Sequence, residues 1–174
     1  MVAPKYGPTR SSSSDNVQDP SSLKSDQRRR EILLSFVQDA VGKRMQGNTL
    51  FKDRLYDQAL TKYSDAIHTL RKVPGEMAGS DMVKTLNNRG RSYVKLAMMS
   101  HAEADASEVL SMESAEKAAT SAALLVRYHA RVGLGATDEA AQDLERSAGL
   151  GNIDAKKQLS QLRNATPARG GSKG

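Results

Sequence analysis

Gly47-Asn48-Thr49-Leu50-Phe51-Lys52, followed by Tyr56-Asp57-Gln58-Ala59-Leu60 and Tyr63-Ser64-Asp65-Ala66-Ile67, is the stretch on which the fold turns. Leu60, Tyr63, Ile67 and Leu70 recur at three- and four-residue spacing, the mark of an amphipathic helix with one apolar face. The pattern returns twice. Asn88-Arg89-Gly90 leads through Tyr93, Lys95 and Leu96 to Ala102-Glu103-Ala104-Asp105-Ala106. A third copy runs from Leu125 past Ala130, Leu134 and Gly135 to Asp138-Glu139-Ala140 and Asp143-Leu144. Recurrence of one unit points to a stacked array of small helical pieces, each burying its apolar face against the next.

Each unit has one plan: an amphipathic helix, a short turn, and a second helix with a small residue where the two cross. Gly47, Gly90 and Ala130 are expected on the first helices, and Ala59, Ala102 and Ala140 on the second. Val83, Leu86, Tyr93 and Leu96 form another core stripe, and no segment alternates as a strand would. Residues 71–80, with Pro74, Gly75 and Gly79, are the one internal breaker and are expected to join the first hairpin to the second. Residues 31–53 read as one long first helix, with Ile32, Leu33, Phe36 and Val37 covering the first repeat. Residues 152–164 read as a last helix, with Ile153, Leu159 and Leu162 inward and Lys156, Lys157 and Gln161 outward, that caps the stack. The expected organisation is a Ser/Pro-rich disordered tail over 1–25 and a repeat domain over 26–164, followed by a second disordered tail over 165–174. Within the domain the repeats fall at about 40–73, 80–112 and 118–150, ahead of the cap at 152–164.

Composition removes several functional classes. The chain has no cysteine, so disulfide frameworks, thiolate zinc sites and cysteine nucleophiles are all excluded. His68, His101 and His129 have no second ligand at metal spacing and no nucleophile motif beside them, so neither a metal nor a cofactor is expected. Gly133-Leu134-Gly135 precedes a hairpin turn instead of following a strand, which is the wrong context for a phosphate loop. The expectation is a protein that is not an enzyme. No apolar run approaches the roughly 18 residues of a membrane span, and the N-terminal residues lack the apolar core of a secretory signal. A cytoplasmic protein with no membrane partner is expected. The net charge of +6 and pI near 9.6 raise nucleic acid as a partner. No base-stacking aromatics accompany the basic stripe, so nucleic acid is not the expected partner. Arg28-Arg29-Arg30 reads as a solvated helix entry, with a localisation signal as the alternative.

The Gly-Asn-x-Leu-Phe-Lys, Tyr-x-x-Ala-Leu and Tyr-Ser-x-Ala-Ile series over 47–67 resembles the opening repeat of tetratricopeptide co-chaperones, and Asn88-Arg89 resembles their second. The likeness covers about 120 of the 174 residues and weakens toward the third repeat. It implies an all-α fold: three tetratricopeptide helical hairpins in a right-handed superhelix, with an extended first helix and a C-terminal capping helix. It also implies a partner, the acidic C-terminal peptide of heat-shock protein 70 and 90 chaperones, gripped by a two-carboxylate clamp. The clamp cation and amide of the first repeat fall on Arg44 and Asn48, and the amide of the second on Asn88. In the third repeat Ala122 and Val126 stand where two cations belong, with Arg127 one residue away from the second of them.

The residues give a consistent reading of their own. First helices line the groove of such an array, and residues three, four and seven apart share a face. Arg44, Asn48 and Phe51 or Lys52 form one stripe, Lys84, Asn88, Arg91 and Lys95 a second, and Arg127 and Arg131 lie one turn apart. Amides and guanidinium groups supply the donors that carboxylates need. Asn48 and Asn88 stand out because Asn is a poor mid-helix residue unless its amide contacts something. Tyr56, Tyr63 and Tyr93 read as packing residues. The expected peptide-binding residues are therefore Arg44, Asn48, Phe51, Asn88, Arg91, Lys95 and Arg127. The expected function is a non-catalytic co-chaperone-like adaptor that takes an acidic chaperone C-terminus in its concave groove. The alternative is an assembly scaffold that uses the same repeats for a non-chaperone protein.

Overall fold

The computed structural model describes residues 20–165, so of the tails expected at 1–25 and 165–174 the residues 1–19 and 166–174 lie outside the described residues. Among the described residues there are seven helices and no strand: α1 (Pro20–Lys52), α2 (Tyr56–Leu70), α3 (Gly75–Lys95), α4 (Met99–Ser111), α5 (Lys117–Leu134), α6 (Thr137–Gly149) and α7 (Ile153–Ala165). The described residues divide into two units, 20–32 and 33–165. Of the first unit, residues 20–32 are the opening of α1, including residues 20–25 that the composition assigned to the tail, and Arg28, Arg29 and Arg30 are exposed there. The second unit holds the three hairpins α1/α2, α3/α4 and α5/α6 with α7 as the cap, the helical-repeat superhelix expected from the sequence.

Within the second unit, from α2 onward each helix packs on the next, and α3 also packs on α5. Burial follows the helical period. On α2 the buried residues are Ala59, Tyr63, Ala66, Ile67, Thr69 and Leu70, and on α6 they are Ala140, Asp143, Leu144, Ser147 and Ala148. On α1, Leu33, Val37 and Ala40 pack on the core, while Ile32 and Phe36 are 50% and 37% exposed. The long first helix thus covers the repeat with a narrower stripe than expected. Leu33, Val37 and Ala40 are spaced four and three apart, and Ile32 and Phe36 sit a quarter-turn away from that line.

Close helix approach explains two glycines. A Cβ on Gly47 would lie 2.6 Å from Tyr63 Cε1, and one on Gly90 would lie 3.0 Å from Val126 Cγ1. The third repeat departs from the expected pattern. Arg89 pairs with Asp105 and Arg127 with Asp143, each sixteen residues on, which makes Tyr128 and not Ala130 the counterpart of Gly90. Ala130 is fully buried in the main core. Tyr128 instead faces a second cluster with Ala140, Leu144, Ala148 and Ala155, and its hydroxyl accepts from Gln158 Nε2 at 3.2 Å. The last repeat meets the cap there, and a large side chain fills the space.

The stretch at 71–80 is shorter as a connection than its composition suggests. Helix α3 starts at Gly75, directly after Pro74 at the N-cap, so only residues 71–74 lie between the helices. Gly79 is a helical residue kept small by Ser114, whose Oγ would lie 2.8 Å from an added Cβ. Inside the hairpins the three turns repeat one geometry. Arg54, Ala97 and Gly135 each adopt a left-handed backbone, with φ of 63°, 57° and 82°. The next amide closes the turn onto the carbonyl five residues back: Leu55 to Leu50, Met98 to Tyr93, and Ala136 to Arg131.

Candidate functional site: a groove along α1, α3 and α5

Two cavities lie along the first helices. The first, about 540 Å³, opens between α1, α2 and α3. Asn48 and Asn88 meet in its wall: Asn88 Nδ2 donates to Asn48 Oδ1 at 2.8 Å, and the Tyr63 hydroxyl donates to the same oxygen at 2.9 Å. With its oxygen doubly bonded, the Asn48 amide nitrogen is turned the other way, its recorded contact being the soft Met45 sulfur at 3.8 Å. Each amide carries two N–H donors, so both keep donor capacity for a ligand. Tyr63 holds this orientation. It is 1% exposed, and burial outweighs the nearby Arg91 and Arg44 to push its pKa up to about 12, which keeps the phenol a neutral donor.

Lys52, Arg54 and Arg91 also line this cavity, and no acidic residue among the described ones does. The Arg91 guanidinium lies over the Phe51 ring, 5.2 Å from its centroid, and that ring sits edge-on to Tyr56 at 5.2 Å. Stacking positions the cation and leaves its in-plane N–H fork available. Phe51 thus holds Arg91 at the cavity wall.

The second cavity, about 500 Å³, lies between α3, α5 and the start of α7. Arg91 lines this one as well, so the two cavities share a wall, and Lys95 stands one helical turn further on. Its apolar surface comes from Val94, Ala122, Leu125 and Val126. His129, Asn152, Asp154 and Gln158 complete it. Burial, with Lys95 nearby, lowers the His129 pKa from its usual value.

Of the seven residues expected to bind, Asn48, Phe51, Asn88, Arg91 and Lys95 line these cavities. Arg44 and Arg127 line neither. Arg44 reaches Asp81 on α3 at 3.2 Å, with the two side chains 14% and 22% exposed, and its Nε is buried without a hydrogen-bond acceptor. Its charge is already answered from inside the fold.

Arg127 lies on the other side of α5, against α6. Its Nε and Nη2 each donate to an Asp143 carboxylate oxygen at 2.8 Å, and its Nη1 reaches Ser107 Oγ at 3.5 Å. Arg89 does the same one repeat earlier, with Asp105 at 2.8 and 2.7 Å and Ser64 at 3.3 Å. Each guanidinium ties its own hairpin's second helix to the second helix of the preceding hairpin. Arg131, one turn beyond Arg127, joins Asp143 at 2.8 Å and Glu103 at 2.9 Å. This fork holds Arg127 away from the second cavity, and Val126 lines that cavity instead.

The sequence reading did not single out Arg54 or Asp154. Arg54 sits in a turn and enters the cavity wall through its left-handed backbone, and Asp154 comes from the cap, outside the repeats. Only the register of the turn, shared with Ala97 and Gly135, could have signalled the first.

Solved structures match this fold. The second tetratricopeptide domain of human RPAP3, in complex with the HSP70 peptide SGPTIEEVD, is 27% identical, with a TM-score of 0.58 over 72% of this chain and 96% of that one. This is a tetratricopeptide fold. The first such domain of Spaghetti (RPAP3), bound to the HSP90 peptide SRMEEVD, is 25% identical, with a TM-score of 0.57 over 74% of this chain and 93% of the other. The tetratricopeptide domain of Arabidopsis OM64, at 22% identity, shares the fold with a TM-score of 0.59 over 75% of this chain and 99% of that one. Comparison with family models and with curated protein sequences gives no match. The resemblance carried by residues 47–67 is thus borne out at the level of fold and repeat type. No helix among the described residues is long and apolar enough to cross a membrane.

Proposed function

We propose that this tetratricopeptide domain is a protein-interaction adaptor that binds an acidic, extended C-terminal peptide of heat-shock protein 70 or 90 chaperones in the groove along α1, α3 and α5. The observation that carries the reading is the first cavity, where Lys52, Arg54 and Arg91 surround the Asn48–Asn88 pair with no acid in the wall among the described residues. Amide N–H groups and a planar guanidinium suit a carboxylate, and partial desolvation strengthens the pairing. The peptides SRMEEVD and SGPTIEEVD, held by the RPAP3 domains, support the choice of ligand class. In this reading Asn48, Asn88 and Arg91 contact the ligand, Phe51 aims Arg91, Lys95 extends the basic edge, and Arg44 acts only when freed from Asp81.

Titration of the chain with a labelled SRMEEVD peptide tests this. Binding is expected to weaken about tenfold or more on C-terminal amidation, and likewise on Asn88→Ala or Arg91→Ala, since each removes a charge-assisted or amide contact. A titration indifferent to all three changes removes the groove as the site. The second reading, a scaffold for a non-chaperone protein, draws on Ala122 and Val126, which put apolar groups where a clamp would put cations. It is favoured if the SRMEEVD peptide binds no better than its scrambled sequence.

A further inference from the structure

The amide nitrogen that Asn48 turns away from Asn88 meets the thioether of Met45. We infer that Met45 is a site of reversible oxidation, and that its sulfoxide weakens the hold of the first cavity on an acidic peptide by capturing that amide nitrogen. The effect on a peptide rests on the reading of the groove as a peptide site.

Three observations meet at this residue. Met45 lines the first cavity, one helical turn before Asn48 on α1. Its sulfur lies 3.8 Å from Asn48 Nδ2. It is 55% exposed, and among the described residues only Met98 is a second exposed methionine. Met82 is buried, and Met77, Met99 and Met112 are half-buried. Peroxide in the solvent therefore meets Met45 and Met98 first. Met98 stands in the turn ahead of α4 and lines neither cavity.

Oxidation changes the character of the Met45 contact. The sulfur lone pair attacks one oxygen of hydrogen peroxide, the O–O bond breaks as the S–O bond forms, and the hydroxyl proton passes to the departing oxygen. The thioether is oxidised to a sulfoxide, and the peroxide is reduced to water. A thioether accepts hydrogen bonds weakly, whereas the sulfoxide oxygen is a strongly polar acceptor. Asn48 cannot turn away from it. Asn88 Nδ2 at 2.8 Å and the Tyr63 hydroxyl at 2.9 Å hold Asn48 Oδ1, which keeps Nδ2 on the side of Met45. One amide donor is then taken, and a partial negative charge stands where a ligand carboxylate would approach. Lys52, Arg54 and Arg91 remain in the wall, so the loss of binding is partial.

The test uses the full chain, treated with hydrogen peroxide that is removed before titration, and fluorescein-labelled SGPTIEEVD, a peptide without methionine. Mass spectrometry is expected to show Met45 and Met98 oxidised ahead of Met77, Met82, Met99 and Met112. Fluorescence anisotropy is expected to give about tenfold weaker binding after oxidation, the loss of about one hydrogen bond to a charged group. Methionine sulfoxide reductases are expected to restore it. Met45→Leu is expected to abolish the response to peroxide, and Met98→Leu to keep it. Met45→Gln, which supplies an amide oxygen in place of the sulfoxide oxygen, is expected to weaken binding with no oxidant present. In the NMR spectrum of the isotope-labelled chain the Asn48 side-chain amide is expected to move on oxidation, a readout that needs no peptide. A response that persists in Met45→Leu, or an affinity unchanged once Met45 is oxidised, overturns the inference. So does a Met45 that stays reduced while the buried methionines oxidise. If SGPTIEEVD does not bind the untreated chain, the peptide reading falls, and the Asn48 resonance alone decides the oxidation site: movement supports the capture of the amide, and an unmoved resonance overturns it.

Discussion

Replacing Arg127 by Met separates the two roles this residue could play, groove cation or internal tie. The structure gives it Asp143, which is 2% exposed, through two bonds of 2.8 Å. Removing one partner from a buried ion pair normally costs about 3–5 kcal/mol, because the stranded charge has lost both water and partner. Asp143 is not fully stranded, since Arg131 Nη1 remains at 2.8 Å. The loss is then nearer that of a charged hydrogen bond, about 2 kcal/mol. In Arg89→Met the position differs. Among the described residues Asp105 has Arg89 as its single ion-pair partner, so the full cost of about 4 kcal/mol applies. A chain of this size loses about 2–4 °C of Tm per kcal/mol, so Arg127→Met should melt about 4–8 °C lower and Arg89→Met about 8–16 °C lower. Circular-dichroism melts of both variants measure this, paired with SRMEEVD titration at a temperature where each stays folded. Affinity should be nearly unchanged for Arg127→Met. An unshifted melt together with lost peptide binding would refute the assignment and return Arg127 to the groove. Equal shifts for the two variants would refute the buffering role given to Arg131.

Three further outcomes follow from particular contacts. Ala97→Gly should raise stability by about 1 kcal/mol and Gly135→Ala lower it by a similar amount, because the left-handed backbone at these turns favours glycine; denaturant midpoints of the two variants with opposite signs check this. Asp81→Asn removes the carboxylate that engages Arg44, so an acidic peptide should bind several-fold more tightly in exchange for some loss of stability, whereas unchanged affinity would leave Arg44 a packing residue between α1 and α3. His129 has a folded-state pKa below the unfolded value near 6.5, so its contribution to stability is present when it is neutral above that value and is lost as pH falls through the window below it. An NMR titration should place its midpoint under 6.5, and Lys95→Ala should raise it; a midpoint above 6.5 contradicts the burial argument.

Helix order, the three hairpins and the cap could be read from residues alone, because helical periodicity and small crossing residues are local properties of the chain. Gly47 against Tyr63 and Gly90 against Val126 are where that reading meets the packed structure. Asn48 and Asn88 were legible for a similar reason: an amide in mid-helix needs a partner, and each found the other. Their shared orientation was not legible, since it depends on Tyr63 arriving from α2. Charge was the least legible feature. Arg44, Arg91 and Arg127 look alike on helical stripes, yet one is paired with Asp81, one lies over Phe51, and one is locked to Asp143. Which carboxylate or ring lies opposite a guanidinium is fixed by how helices distant in sequence pack together. The same packing turned Val126 toward the groove, brought Asp154 from the cap to its edge, and so gave the basic face of the sequence its apolar second half.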